Sequence, residues 1–414
     1  MTRILFTLLL ACGVARAESM SPDITVAADG SGSFTSIQKA IESIPRENHE
    51  RLILFVKDGV YHEKLRIDAT CITLRGQSRA GTRIEFAQLN DDFTKNPDDL
   101  GRAVVNVNGD DFVMENLTVK NTAGIVGPHS FAVYGRGDRT VILDCDMLSE
   151  GADTVSLWKG DSGRYYHARC NFRGAVDFVC PRGWCYITDS TFYETKNTAA
   201  VWHDGSKDKD QKFVLRNCKF DGVDGWNLAR HHHDAQFFFL NCTFSKSMID
   251  KPPFRVIYPL DGKEPTDADR KRNADNDKSN LWGERAYFFN CHRDGGDYAW
   301  MKDNLPVPAD QISANWTFAG TWDPERKAGP QILHISPREV KFSERVTVKG
   351  QPRLMLSDGS SATYDSGSGS ETLVFKTDVK NDVSVKSMDP NGGHIIGTEA
   401  AASERMAEIG AGLP

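Results

Sequence analysis

From Ala103 onward the apolar residues fall into short runs bounded by polar turns, without the three-to-four spacing of a helix. Ala103–Val107, Phe112–Val119, Phe131–Tyr134, Thr140–Leu143, Val155–Trp158, Tyr165–Ala168, Tyr186–Thr188, Lys212–Leu215, Gln236–Leu240 and Ala286–Phe289 are predicted strands. A marker recurs among them: Cys145, Cys170, Cys218, Cys242 and Cys291 stand in the near-copies DCDM, RCNF, NCKF, NCTF and NCHR, with Ser190 replacing Cys in ITDSTF. From Cys145 to Cys242 the intervals are 25, 20, 28 and 24 residues. Units this short cannot bury an apolar face alone and must stack on their neighbours. Strands without helices at this period predict a parallel β-helix, a solenoid of stacked coils.

The flanks differ. Asp23–Asp29 reads as a strand, and Phe34–Ile44 has apolar residues at helical spacing, stopped by Pro45, as a cap on the solenoid would. Leu52–Val56 and Ile72–Leu74 are buried strands. Ile249–Asn280 interrupts the repeat with a proline-rich and then highly charged segment, read as a solvated surface loop, with a flap over a groove as the alternative. After Trp322-Asp323-Pro324 the pattern becomes alternating strands with turn signals, a small antiparallel β-sandwich-like module. The expected division is a leader, 1–17; a solenoid, 18–330; the small β module, 331–396; and a flexible tail, 397–414.

Composition changes this picture at three points. The first residues, MTRILFTLLLACGVARAES, have an apolar run and an Ala15-Arg16-Ala17 site, the pattern of a signal peptide cut before Glu18. No later apolar run approaches the ~18 residues a membrane span needs, so an exported protein, periplasmic or extracellular and without a span, is expected. The formal charge of −7 becomes −9 once Arg3 and Arg16 leave with the leader, and with no basic stripe this excludes nucleic acid as a partner. The repeated cysteines read as an inward column of buried thiols. Cys180 and Cys185 close a short loop, CPRGWC, in which spacing alone leaves a disulfide or two thiols equally open.

The chemistry sits in the same repeat. Asp153 follows Cys145 by eight residues and Asp177 follows Cys170 by seven, each entering an apolar strand. Stacked strands lie roughly 4.8 Å apart, so the two carboxylates are expected to be neighbours. Arg230 enters the same face from a later repeat, and Trp158, Tyr165, Tyr166, Trp202 and Trp226 crowd the region. Like charges this close cannot both ionise comfortably; a neighbouring Arg lowers one pKa while the other rises. A polar ladder of purely structural aspartates is the competing reading. The run His231-His232-His233, with His203, invites a metal site, but it lacks a clear carboxylate partner, and polar contacts lining a groove are preferred. No metal and no cofactor are expected.

These residues resemble those of the pectin methylesterase family, in a divergent bacterial form. The matches are Gly59-Val60-Tyr61-His62-Glu63, Ala152-Asp153-Thr154, Gly174-Ala175-Val176-Asp177-Phe178-Val179 and Leu228-Ala229-Arg230, in the family's order, over about Asp23–Pro324. The segment after Pro330 resembles the Ig-like repeats of large bacterial surface proteins. The resemblance implies a right-handed parallel β-helix acting on methylated pectin or a related esterified polysaccharide, as a monomer. By position, Asp177 would be the nucleophile, Asp153 the acid and then base, and Arg230 the group that orients Asp177 and keeps it ionised. Phe131, Tyr165, Tyr166, Trp202, His203, His231 and His232 would line the substrate groove, and Gly59, Tyr61 and Glu63 would be structural. The family's oxyanion glutamines are replaced by Phe131 and Ala152, and its proline and tryptophan by His231 and His232. Substitutes for the lost donors are His129, Ser130, His203 or a backbone amide. Two rivals follow: an esterase or thioesterase for another ester on the same scaffold, and a catalytically weak glycan-binding β-helix.

Overall fold

The computed structural model describes residues 21–204, 208–260, 262–379, 383–407 and 409; the leader expected at 1–17 lies outside them. Each coil of the repeat contributes one strand to each of three parallel sheets. Thr140–Leu143, Asp146–Ala152 and Val155–Leu157 form one coil; Arg164–Ala168, Asn171–Ala175 and Val179–Pro181 form the next. The resulting sheets have ten, nine and eight strands, all in parallel register, which is the β-helix expected.

The corner between the ten- and nine-stranded sheets explains the recurring marker. Asp144, Arg169, Asp189, Asn217, Asn241 and Asn290 occupy it with φ between 48° and 56°, a left-handed conformation that Asn and Asp tolerate best among residues with a side chain. The amide of Asn290 donates to Asn241 at 3.0 Å, Asn241 to Asn217 at 3.0 Å, and Asn217 to Asp189 at 3.0 Å, so the turns are stitched coil to coil. The next residue points inward, and the Cys145, Cys170, Cys218 and Cys242 thiols bond to backbone carbonyls two residues earlier. All eight described cysteines are buried and free, Cys180 and Cys185 included, so CPRGWC is not a disulfide. Behind the column, Phe172, Phe192, Phe220 and Phe244 stack through the nine-stranded sheet at 5.0, 4.3 and 5.4 Å.

The helix Ile37–Glu42 covers the open first coil, burying Ile37, Ala40 and Ile41. Glu63 accepts from the Ile37 and Gln38 amides at 2.8 and 3.1 Å and from Ser36 Oγ at 2.6 Å. Tyr61 is buried, its hydroxyl donating to the Lys57 carbonyl. The segment around Gly59–Glu63 thus anchors the cap.

Strands between Ile332 and Gly397 form a single antiparallel seven-stranded sheet that curves, nearly barrel-like, over its own core of Val340, Phe342, Leu354, Leu373 and Phe375. The expected flexible tail is corrected for residues 398–407. Ala400 is buried with its amide on Asp111 Oδ1 of the solenoid at 3.0 Å, and Arg405 is buried against Glu344 of the β module at 2.7 Å, so this strip is packed between the two.

Candidate active site

The eight-stranded sheet pairs Val155 with Val179, Val179 with Val201, and Trp202 with Arg230. Val155 and Val179 point into the core, and Asp153 and Asp177 stand two residues before them, in successive coils. Both aspartates have φ of 58°, a left-handed kink in which a residue with a side chain is uncommon and which recurs at functional sites. The Asp153 amide bonds to the Val176 carbonyl at 3.3 Å and the Asp177 amide to Ala199 at 2.7 Å. Arg230 reaches Asp177 with Nε at 2.9 Å from Oδ1 and a terminal nitrogen at 2.6 Å from Oδ2. Asp153 takes Ser156 Oγ at 3.3 Å, and His129 Nε2 lies 3.9 Å from its Oδ1. The two carboxylates and the guanidinium therefore meet on one outward face. Behind them, buried Glu194 accepts from the Val176 amide at 3.3 Å and the Lys196 amide at 2.9 Å, holding the turn that presents Asp177.

Burial pushes both carboxyls up, Asp153 to about 6 and Asp177 to about 7, an order opposite to the one expected, in which Asp153 is the higher. The bidentate contact with the largely buried Arg230 works against that burial and favours the ionised form of Asp177.

Strand alternation sorts the remaining candidates. Trp202 faces outward, its ring 4.1 Å from His232 and 5.5 Å from the Arg230 guanidinium. His203 and His231, one residue further on, point inward: His203 bonds to the Gly183 carbonyl at 2.9 Å, and His231 to Glu284 at 3.0 Å and the His233 carbonyl at 2.7 Å. Both are buried and neither lines a groove. Tyr165 is a core residue whose hydroxyl accepts from the Lys159 amide at 2.8 Å, and Trp226 is likewise fully buried. Tyr166 faces out of the ten-stranded sheet but is covered, stacked on Tyr186 at 5.9 Å and donating to Glu325 at 2.9 Å. Phe131 is buried against Tyr134 and His129. Of the expected sugar-facing residues Phe131 lies one coil before Asp153 but is buried, and Trp202 and His232 are those left partly open beside the aspartates.

Others join them. Two residues beyond Ser156, Cys180 and Trp202, and so on the same face, stand Trp158, Arg182 and Asp204. The Arg182 guanidinium stacks on Trp158 at 3.8 Å and pairs with Asp204 at 3.3 Å. Counting by two from the outward Trp202 gives Asp204, and the coil register that pairs Ser156 with Cys180 carries the same step to Trp158 and Arg182. Tyr258 could not be found that way: it comes from the Ile249–Asn280 interruption, returns to bond His232 Nε2 at 2.5 Å, and carries Arg272 over its ring at 3.6 Å. The interruption also holds an exposed helix, Asp267–Asp277, so it is part surface element and part wall of the site. Among the described residues no three His, Cys, Asp or Glu side chains are grouped as metal ligands.

Comparison with known proteins bears on the family and the fold. The family model described as Pectinesterase matches residues 23–240. A pectinesterase of Petunia integrifolia is 30% identical over 206 residues, 48% of this chain and 53% of that protein. Pectinesterase 2 of Arabidopsis thaliana is 27% identical, over 50% of this chain and 35% of that protein. The chain thus spans about half the length of the first relative and about a third of the second. Among solved structures, the pectin methylesterase of carrot superposes with a TM-score of 0.56 at 17% identity, covering 74% of this chain and 95% of that one. Pectin methylesterase PemA of Erwinia chrysanthemi gives 0.57 at 18%, covering 74% and 99%. At these identities the superpositions speak for the fold.

Proposed function

Because this chain belongs to the pectinesterase family, we propose that it is an exported carboxylic ester hydrolase that removes methyl esters from pectin. Asp177 is the nucleophile: a carboxylate oxygen attacks the ester carbon, the bond to the methoxy oxygen breaks, and methanol leaves with the proton held by Asp153. Asp153, now ionised, takes a proton from water as that water attacks the acyl-enzyme, and the Asp177 carboxylate is released with the free galacturonate. Arg230 keeps Asp177 ionised and aimed through its bidentate contact, and this contact, beside a second carboxyl with a raised pKa, is the observation that carries the reading. Trp202 and the Trp158–Arg182 stack offer flat surfaces to sugar rings.

The measurement is methanol release from methylated pectin, with acetylated glycans and acyl-CoA as controls. Methanol release confined to pectin is expected; hydrolysis of either control in its place would favour a different ester. That second reading draws on Phe131 and Ala152, which cannot donate to an oxyanion, and on His231 and His232, where the family resemblance expects proline and tryptophan.

A further inference from the structure

When Asp177 attacks, the ester carbonyl oxygen gains negative charge and needs a hydrogen-bond donor at about 3 Å. Phe131 presents a phenyl ring and Ala152 a methyl group, so neither supplies one. Most other nearby donors are engaged, and those without a partner, the Trp158 and Trp202 indole N–H groups and Arg182 Nε, are buried. Ser130 Oγ is buried and bonded to Ser149 Oγ at 2.7 Å. His203 is buried with its Nε2 on the Gly183 carbonyl. The amides of Ala152, Asp153, Val176 and Asp177 are bonded to Pro128, Val176, Glu194 and Ala199 respectively. Arg182 is paired with Asp204, and the Tyr258 hydroxyl lies on His232.

One side chain is placed differently. His129 forms a parallel bridge with Ala152, so it stands one coil away in the same column. Its ring reaches the site, Nε2 lying 3.9 Å from Asp153 Oδ1, yet its side chain is 54% exposed. The charged groups that act on it are Asp153, Asp177 and Asp91, all acidic, while burial lowers its pKa. The ring is anchored by its backbone, with its carbonyl accepting from the Asn90 amide at 2.9 Å, and is free at its tip.

Building on the esterase reading above, we propose that His129 is a further catalytic residue, donating a ring N–H to the oxyanion formed on Asp177 attack in the place of the missing glutamines. No proton is transferred by His129. A neutral imidazole keeps one N–H and an imidazolium keeps two, so the donor survives across the working pH range. The role is electrostatic stabilisation, present in the transition state and weak in the ground state.

The test is steady-state methanol release by the full chain and by His129→Ala, His129→Gln and Trp202→Phe, the last because Trp202 Nε1 is buried without a partner. Losing one oxyanion donor is expected to lower kcat of His129→Ala about 100-fold or more, with KM changed by less than about threefold. His129→Gln, a neutral donor, recovers most of that loss and keeps the parent's pH profile. Thermal melts of the variants match the parent, since the ring is exposed. The proposal is overturned if His129→Ala retains kcat within about threefold of the parent, if the loss lies in KM alone, if Gln is as slow as Ala, or if Trp202→Phe shows the kcat loss instead. A parent that releases no methanol overturns the esterase reading as well, and is told apart from these outcomes by the parent measurement itself.

Discussion

Asp153 and Asp177 share a backbone conformation and a degree of burial and differ in their partners, and the roles proposed for them rest on that difference. Asp177→Asn should lower methanol release by about 10⁴-fold or more, as loss of a nucleophile does. Asp153→Asn keeps the nucleophile, so an activated ester with a good leaving group should still give a burst followed by slow turnover, while methyl esters lose the burst. Equal loss of the burst on both substrates would remove the acid role from Asp153. Arg230→Met leaves Asp177 buried without its cation, so the acid limb of kcat/KM should move to higher pH. Glu194 makes a separate prediction. Burial raises its pKa from 4.5 to about 9, so the native state holds a proton that the unfolded chain releases. The stability this contributes is fully present below pH 4.5 and is lost progressively as pH rises towards 9. Glu194→Gln keeps an acceptor for the Val176 amide without titrating, and denaturant midpoints measured from pH 5 to 9 should fall less steeply than the parent's.

The coil corner is the element that repeats most faithfully, and its energetics are local. Asn241 combines φ of 52° with two ladder hydrogen bonds, one donated to Asn217 and one accepted from Asn290. Asn241→Val places a β-branched residue in the left-handed region and removes both bonds, which should destabilise by about 2–3 kcal/mol in urea unfolding. Asn241→Gly loses the bonds but not the backbone fit and should cost clearly less. Equal losses would mean that the side-chain ladder, not the turn conformation, sets the corner. Such corners place each following strand one coil spacing on, which is how residues 24 apart in the chain come to be neighbours in the site.

Across the whole molecule, the site and the C-terminal module occupy different sheets. The site opens from the eight-stranded sheet, whereas the module and the 398–407 strip lie on the ten-stranded one, where Arg51 bonds to Thr347 Oγ1 at 2.7 Å and the Trp322 indole to the Ala400 carbonyl at 2.9 Å. Arg405 sits buried between Glu344 and Glu399. Arg405→Ala removes the buried cation between those carboxylates, leaving Glu344 with Arg326 and Glu399 with Arg139 at 4.0 Å, and should destabilise by about 3 kcal/mol, read as a lowered melting temperature. Because the pair is remote from Asp177, kcat on methylated pectin should not change; a fall in kcat at temperatures where the variant is folded would show that the module acts on the site.

What the sequence determined by itself follows from periodicity. Cys145, Cys170 and their counterparts count the coils, and counting coils is enough to stack Asp153 on Asp177 and bring Arg230 to the same face, because parallel register carries a position straight from coil to coil. The parity of each strand was present too, in the two-residue alternation that separates Trp202 from His203 and Arg230 from His231. Aromatic or histidine content alone ignores that parity, and so counted buried residues as groove. The rest was decided only by the tertiary structure. Tyr166 has the outward parity, and a distant segment, Asp323–Glu325, covers it. Tyr258 belongs to no repeat and reaches His232 because the interruption folds back. Cys180 and Cys185 have a spacing open to either state, and their strand positions send one towards Ser156 and the other into the core. Local pattern specifies the coil; which chain lies over its outer face is a matter of long-range packing, which carries no period to read.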